Sequence, residues 1–242
     1  MAVEFKFEQR GKVAAAAWSV ASYLLVNLLL LPMILLFRVF NRTTVIGREN
    51  VPRETNTLLL SNHQTMIDSF LVGLTAYYPH HLARPYLIPW HPAAEENFFK
   101  NRLVAWFFDL LKCIPVRTGR RDLKAVYRSM RALKTGTMIL FPEGTRTRDG
   151  SVGKGRPGAG FVILGEQPKV VPVAIDGMAR ILPIGRSFPA FGKRLYVCFG
   201  EPMDFSEFAG EERSKETAQR IVNRVMDAIR EQHDGLRSLR ER

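Results

Sequence analysis

The chain has 242 residues, 46% of them hydrophobic and 24% charged, and its 35 Lys+Arg against 23 Asp+Glu give a formal charge of +12. That balance excludes a disordered or collagen-like chain and allows one sizeable core, while the two cysteines, Cys113 and Cys198, and five scattered histidines show no zinc spacing or disulfide framework and fit a reducing compartment. The charge calls for an anionic partner: nucleic acid, a lipid headgroup surface or a phosphorylated substrate.

The first element is a 25-residue stretch without charge, Val13–Phe37. About 20 apolar residues cross a bilayer as a helix, so the stretch reads as a membrane-associated segment. A secretory leader fits poorly, because the run is too long and no small-x-small site closes it before Arg38. Pro32 predicts a kink or stop, with Val13–Leu31 as one arm and Met33–Phe40 as a shorter arm that dips back. Lys6, Arg10 and Lys12 precede the run, and Arg38, Arg42, Arg48 and Arg53 follow it. Such even flanks are expected when both ends stay on one membrane face, with a single span as the alternative.

From about Thr43 onward, short apolar runs alternate with helical patterns, which predicts an α/β domain whose mixed sheet is flanked by helices. The expected division is an anchoring segment, 1–42, and one further domain, 43–242. Thr57–Ser61 reads as a buried strand and Met66–Tyr78 as a helix stopped by Pro79. Pro85–Pro89 is a weak extended piece, Glu95–Lys112 has helical spacing, and Cys113–Val116 is the next strand. Asp122 can cap a helix with Leu123, Val126, Met130 and Leu133 on one face, and Gly136 ends it. Thr137–Phe141, Val170–Ile175 and Leu195–Phe199 follow as strands. A last helix, about Ser214–His233, lines up Ala218, Ile221, Val222, Val225 and Ile229, and Arg237–Arg242 is expected to fray.

Two motifs stand where strands hand over to the next segment. In Asn62-His63-Gln64-Thr65-Met66-Ile67-Asp68, a histidine with a pKa near neutrality suits a general base, and a carboxylate can hold its ring. Residues i and i+5 stand about 140° apart on a regular helix, so the pair can meet if His63 lies in the turn and Asp68 in the first helical turns. The plainer reading makes Ser61 or Asn62 a helix cap, His63 a surface residue and Asp68 a dipole partner. In Phe141-Pro142-Glu143-Gly144-Thr145-Arg146, Gly144 permits a turn, Arg146 offers a fork for phosphate, and Glu143 can accept from ligand hydroxyls. Its plainer reading is a tight connection with a Glu143–Arg146 surface ion pair.

A basic cluster, Arg117, Arg120, Arg121 and Lys124, follows the CIPV strand, and Arg117 is the best placed to be held by it. Gly153-Lys154-Gly155-Arg156-Pro157-Gly158 fits the dinucleotide pattern GxGxxG, with Asp176 23 residues beyond its first glycine. The required strand end is missing, since the loop Pro142–Val152 separates Phe141 from Gly153. Nucleotide, serine-hydrolase and zinc-protease signatures are also missing from the sequence.

Together these blocks resemble the glycerolipid acyltransferases, the family of bacterial 1-acylglycerol-3-phosphate acyltransferases. Asn62, His63 and Asp68 match its NHx4D block, Ile114-Pro115-Val116-Arg117 its second block, Phe141–Arg146 its third, and Val170-Val171-Pro172-Val173 its fourth. The resemblance implies an O-acyltransferase with His63 and Asp68 as catalytic residues and Arg117, Glu143, Gly144, Thr145 and Arg146 as substrate-binding residues. It implies no cofactor and no metal, with acyl-CoA or acyl carrier protein as acyl-donor substrate. The acceptor implied is a lysophospholipid in the membrane, foremost 1-acylglycerol-3-phosphate, and no nucleic acid partner is expected. The implied location is the cell membrane, with the catalytic domain on its cytoplasmic face. Thr65 stands where serine is usual, Arg156 where lysine is usual, and the Ala93–Arg117 segment is faintly similar to tafazzin-like transacylases. A remodelling transacylase is therefore the first alternative, and a membrane-tethered nucleic-acid-binding protein a distant one.

Overall fold

The computed structural model describes residues 10–117 and 122–241, so Lys6, Arg120, Arg121 and Arg242 lie outside the described residues. Helix α1, Lys12–Ile34, runs through Pro32 and continues as a π-helical segment, Leu35–Val39. The expected second arm that dips back is absent. Proline removes one backbone donor, but the widened ladder re-forms behind it, with Phe40 N–H donating to Leu35 O at 2.9 Å.

One stripe of α1 packs inward through Ser22, Val26 and Leu30, whereas Val20, Leu24, Leu28 and Leu31 are about 60% exposed. The inward stripe is held by polar contacts along its length. Arg10 pairs with Asp109, whose carboxylate also accepts from Trp18 Nε1–H at 2.8 Å. Ser22 Oγ–H donates to Leu110 O at 2.6 Å, Tyr23 O–H to Leu82 O at 3.0 Å, and His81 Nε2–H to Asn27 Oδ1 at 3.1 Å.

Among the described residues seven strands follow: β1 Arg42–Ile46, β2 Thr57–Ser61, β3 His91–Ala94, β4 Cys113–Val116, β5 Thr137–Leu140, β6 Lys169–Asp176 and β7 Arg194–Phe199. Five form the main sheet in the order β1-β7-β6-β2-β5, mixed because β6 and β7 pair antiparallel while the other neighbours are parallel. Trp90 extends it towards the β3–β4 pair, donating to Thr137 O at 2.9 Å and accepting from Ile139 N–H at 2.8 Å. β2 is buried on both faces, as an unbroken TLLLS run requires.

Alternation along the strands splits the core. Leu59, Val171, Val173 and Ile175 pack with α1 and with α2, Asp68–Tyr77, on one side. Leu58, Leu60, Val170 and Ala174 pack with the helices of the other side: α5 Leu123–Leu133, α6 Gly158–Glu166 and α8 Lys215–Glu241, while the short α7, Met178–Ile181, belongs to the first side.

Several elements differ from the sequence reading. The Glu95–Lys112 pattern is two helices, α3 Glu95–Phe98 and α4 Arg102–Leu110, because Asn101 accepts from Leu103 N–H and starts the second. Pro85–Leu87 is a 3-10 turn and not an extended piece. Asp122 does cap α5, but the inner face is Ala125, Ser129, Ala132 and Leu133, and Leu123 is exposed. α8 does not fray at Arg237: Leu236 is buried, and Arg240 Nη1–H donates to Asp176 at 2.7 Å. The GxGxxG stretch serves packing. A Cβ on Gly155 would sit 2.3 Å from Val222 of α8, and Gly158 opens α6 without a preceding strand end.

Candidate active site

The main site is built where β2 ends. Asn62 continues strand-like pairing with β6, accepting from Ile175 N–H at 2.8 Å and donating to Ile175 O at 3.0 Å. Asn62 is therefore not a helix cap, and the following residues are free to turn. Asp68 opens α2, where the positive end of the helix dipole favours a carboxylate.

His63 sits in the turn and its Nδ1 lies 2.9 Å from Asp68 Oδ2. The same oxygen accepts from the backbone N–H groups of Gln64 at 2.6 Å and Thr65 at 2.8 Å. Oδ1 accepts from the Thr65 hydroxyl at 2.6 Å. Four donors converge on a fully buried carboxylate, which fixes its position. A carboxylate only accepts, so Nδ1 carries the ring proton and Nε2 presents its lone pair outward.

The FPEGTR loop after β5 holds this histidine from the other side. The Phe141 ring stacks on the imidazole with centroids 4.1 Å apart and planes 17° apart. Glu143 Oε1 accepts from His63 N–H at 3.2 Å, and Thr147 N–H donates to His63 O at 2.9 Å. Gln64 Nε2–H reaches Gly150 O at 3.0 Å. The two motifs are thus one site, joined through parallel β2 and β5.

Glu143 is buried, and burial pushes its carboxyl up to about 7. Its Oε2 lies against Gly153, where a Cβ would stand 2.8 Å from that atom. The expected Glu143–Arg146 surface pair is absent, because Glu143 points inward to the His63 turn while Arg146 stays partly exposed. Gly144 adopts φ +67°, a conformation that L side chains resist, and the guanidinium stem of Arg156 fills the space where its Cβ would project. Thr145 is exposed.

Arg117 is placed apart. It follows β4, three strand positions from β2 across the extended sheet, roughly 14 Å by strand spacing. Its Nε–H donates to Glu95 at 2.9 Å, and its side chain is more than half exposed. Lys124 is likewise exposed on α5.

A second His-containing pair carries no nucleophile. His91 Nε2 lies 3.1 Å from Cys113 Sγ, but burial holds the imidazole down at about 4 and pushes the thiol up, so both are neutral at pH 7. His91 lines a small apolar cavity of about 40 Å³ with Val26, Leu30, Phe70 and Leu74, between α1 and α2 and one turn from Asp68. Phe141 and Gln64 stand inside the two motifs, but the sequence assigns no role to them or to Thr147. Their roles depend on loops from distant strands meeting, and no local pattern reports that.

The profile of the Acyltransferase family matches residues 42–176, more than half of the chain. A chloroplastic 1-acyl-sn-glycerol-3-phosphate acyltransferase of Brassica napus is 27% identical over 151 residues, covering 60% of this chain and 40% of the relative. Tafazzin of Drosophila melanogaster is 28% identical over 214 residues, covering 85% of this chain and 56% of the relative. The chain thus spans about half the length of these relatives or less. Among solved structures, PlsC of Thermotoga maritima, a 1-acyl-sn-glycerophosphate acyltransferase, shares the fold with TM-score 0.58 at 23% identity, covering 90% of this chain and 96% of that one. On the family match, together with the NHx4D and FPEGTR blocks that the fold joins into one site, this chain belongs to the Acyltransferase family.

Proposed function

We propose that the protein transfers a fatty acyl group from a thioester to the free hydroxyl of a lysophospholipid. The observation that carries this reading is the His63–Asp68 contact at 2.9 Å, in the tautomer a general base needs. His63 Nε2 takes the proton of the acceptor hydroxyl as its oxygen bonds to the thioester carbonyl carbon. The tetrahedral intermediate then collapses, the carbon–sulfur bond breaks, and the imidazolium returns its proton to the leaving thiolate. Asp68 stabilises the imidazolium and keeps the ring in place, so no covalent acyl-enzyme is needed. Arg146, for which no carboxylate partner occurs among the described residues, is the candidate for the acceptor phosphate. Glu143 acts through the His63 turn, while Gly144 and Thr145 shape the rim. Arg117 contributes at longer range, once released from Glu95.

The acceptor proposed first is 1-acylglycerol-3-phosphate, from the name of the Brassica relative, with acyl-CoA or acyl carrier protein as donor. The coverage of the tafazzin match favours a second reading, a transacylase that takes its acyl group from a phospholipid. In both, residues 1–42 attach the protein to a membrane and 43–242 carry the chemistry. α1 lies along the domain with its free apolar stripe in hydrocarbon, both basic flanks at the cytoplasmic face of the cell membrane. Purified protein offered a panel of lysolipids with each donor class, products read by mass, tests the proposal. Acyl transfer that His63→Ala abolishes supports it, and transfer unchanged by that variant overturns the mechanism.

A further inference from the structure

At the foot of α1 lies a cleft that the acyl-transfer chemistry does not use. Its volume is about 380 Å³, and Phe37, Val45 and Leu74 line it together with Arg38, Arg42 and Thr43. Among the described residues no carboxylate lines this cleft, and neither Arg38 nor Arg42 is paired with one. Arg38 lies over the Tyr78 ring, 5.4 Å from its centroid. Two guanidinium groups without counter-charge, beside apolar walls, suit a ligand with a phosphate and a hydrocarbon body. β1, which carries Arg42, is three strands from β2, roughly 14 Å by strand spacing.

The surroundings of the cleft repeat that chemistry. Phe40 and Phe191 stand with ring centroids 4.9 Å apart. Phe188 is 85% exposed, and Val39, Phe191 and Ile184 are also open to solvent. This loop is tied to the end of α1. Gly192 N–H donates to Phe40 O at 2.8 Å, and Lys193 N–H to Asn41 Oδ1 at 2.8 Å. Residues 177–200 include Arg180, Arg186, Lys193 and Arg194 and no acidic residue. Clustered exposed aromatics beside unopposed cations fit the headgroup level of an anionic leaflet, continuous with the apolar stripe of α1.

We infer that this cleft is a second phospholipid site, separate from His63, which holds the phosphate of an anionic lipid between Arg38 and Arg42. The chains of that lipid lie along Val39, Phe40 and Phe191. The inference rests on α1 being membrane-bound. The test uses the detergent-purified full chain, titrated with phosphatidylglycerol, phosphatidylcholine or inorganic phosphate and read by native mass spectrometry. Wild type binds phosphatidylglycerol in preference to phosphatidylcholine, and Arg38→Ala/Arg42→Ala lowers that affinity about 30-fold, two basic residues' worth of headgroup attraction. Phe188→Ser/Phe191→Ser weakens both lipids alike. Arg146→Ala leaves phosphatidylglycerol binding unchanged, and the double arginine variant keeps wild-type turnover on lysolipid in mixed micelles.

Binding lost in Arg146→Ala but kept in the arginine pair would place the lipid in the catalytic site and overturn the inference. Equal affinity in wild type and the arginine pair would also overturn it, as would capture of inorganic phosphate in place of lipid. A wild-type chain that binds neither lipid nor vesicles would instead sink the membrane reading itself.

Discussion

Asp68 Oδ2 accepts simultaneously from His63 Nδ1–H and from the backbone N–H groups of Gln64 and Thr65. The carboxylate that holds the His63 ring is thus pinned by the same turn that presents the proposed base. Asp68→Asn replaces an acceptor by an amide that donates to Nδ1, which forces the wrong tautomer. Acyl transfer should fall by about 10³-fold or more with the fold retained, since the base then points a proton and not a lone pair at the acceptor. Turnover beside far-UV circular dichroism checks this; transfer within tenfold of wild type would refute the assigned role.

Thr65 tests the same network more gently. Its hydroxyl donates to Asp68 Oδ1, so Thr65→Val leaves a buried carboxylate oxygen without that bond. The expected cost is about 1–3 kcal/mol, read from urea unfolding, with a drop in turnover. Thr65→Ser restores the donor and should recover most of both.

Glu143 links stability to pH. Its folded pKa is raised from 4.5 to about 7, so between those values the folded state holds the proton more tightly than the unfolded chain. Its stabilising share is fully present below the lower value and is lost as pH rises through the upper one. Glu143→Gln keeps an acceptor for His63 N–H but cannot ionise. Its melting temperature should therefore decline less than wild type between pH 4.5 and 7, and parallel curves would contradict the assignment.

The approach of α6 to α8 depends on Gly160. A Cβ there would lie 2.1 Å from the backbone oxygen of Ala218, an atom that cannot swing aside. Gly160→Ala should cost about 3 kcal/mol by forcing the helices apart. The urea midpoint measures this, and an unchanged midpoint would mean the helices shift freely.

Asp109 is the polar anchor of the amino-terminal half of α1, through Arg10 and Trp18. Asp109→Ala should raise amide exchange across residues 12–22 while leaving β2 and β5 protected.

The sequence by itself determined the α/β class and the strands at Thr57, Cys113, Thr137, Val170 and Leu195, and it allowed His63 to meet Asp68. These are local properties: a run such as TLLLS must be buried on both faces, and a spacing of five lets the pair meet across a turn followed by a helix start. It also identified the apolar run, but not its continuity through Pro32, because re-forming the ladder as a π-helical segment depends on packing behind the proline. Only the tertiary structure decided which side chains hold His63. Phe141, Glu143 and Thr147 reach it because β2 and β5 are neighbours, although some eighty residues separate the two motifs. The same pairing order set Arg117 apart from the site and clasped Phe191 to Phe40. Strand order and the meeting of distant loops are fixed by how whole faces bury one another, and no window of sequence contains that information.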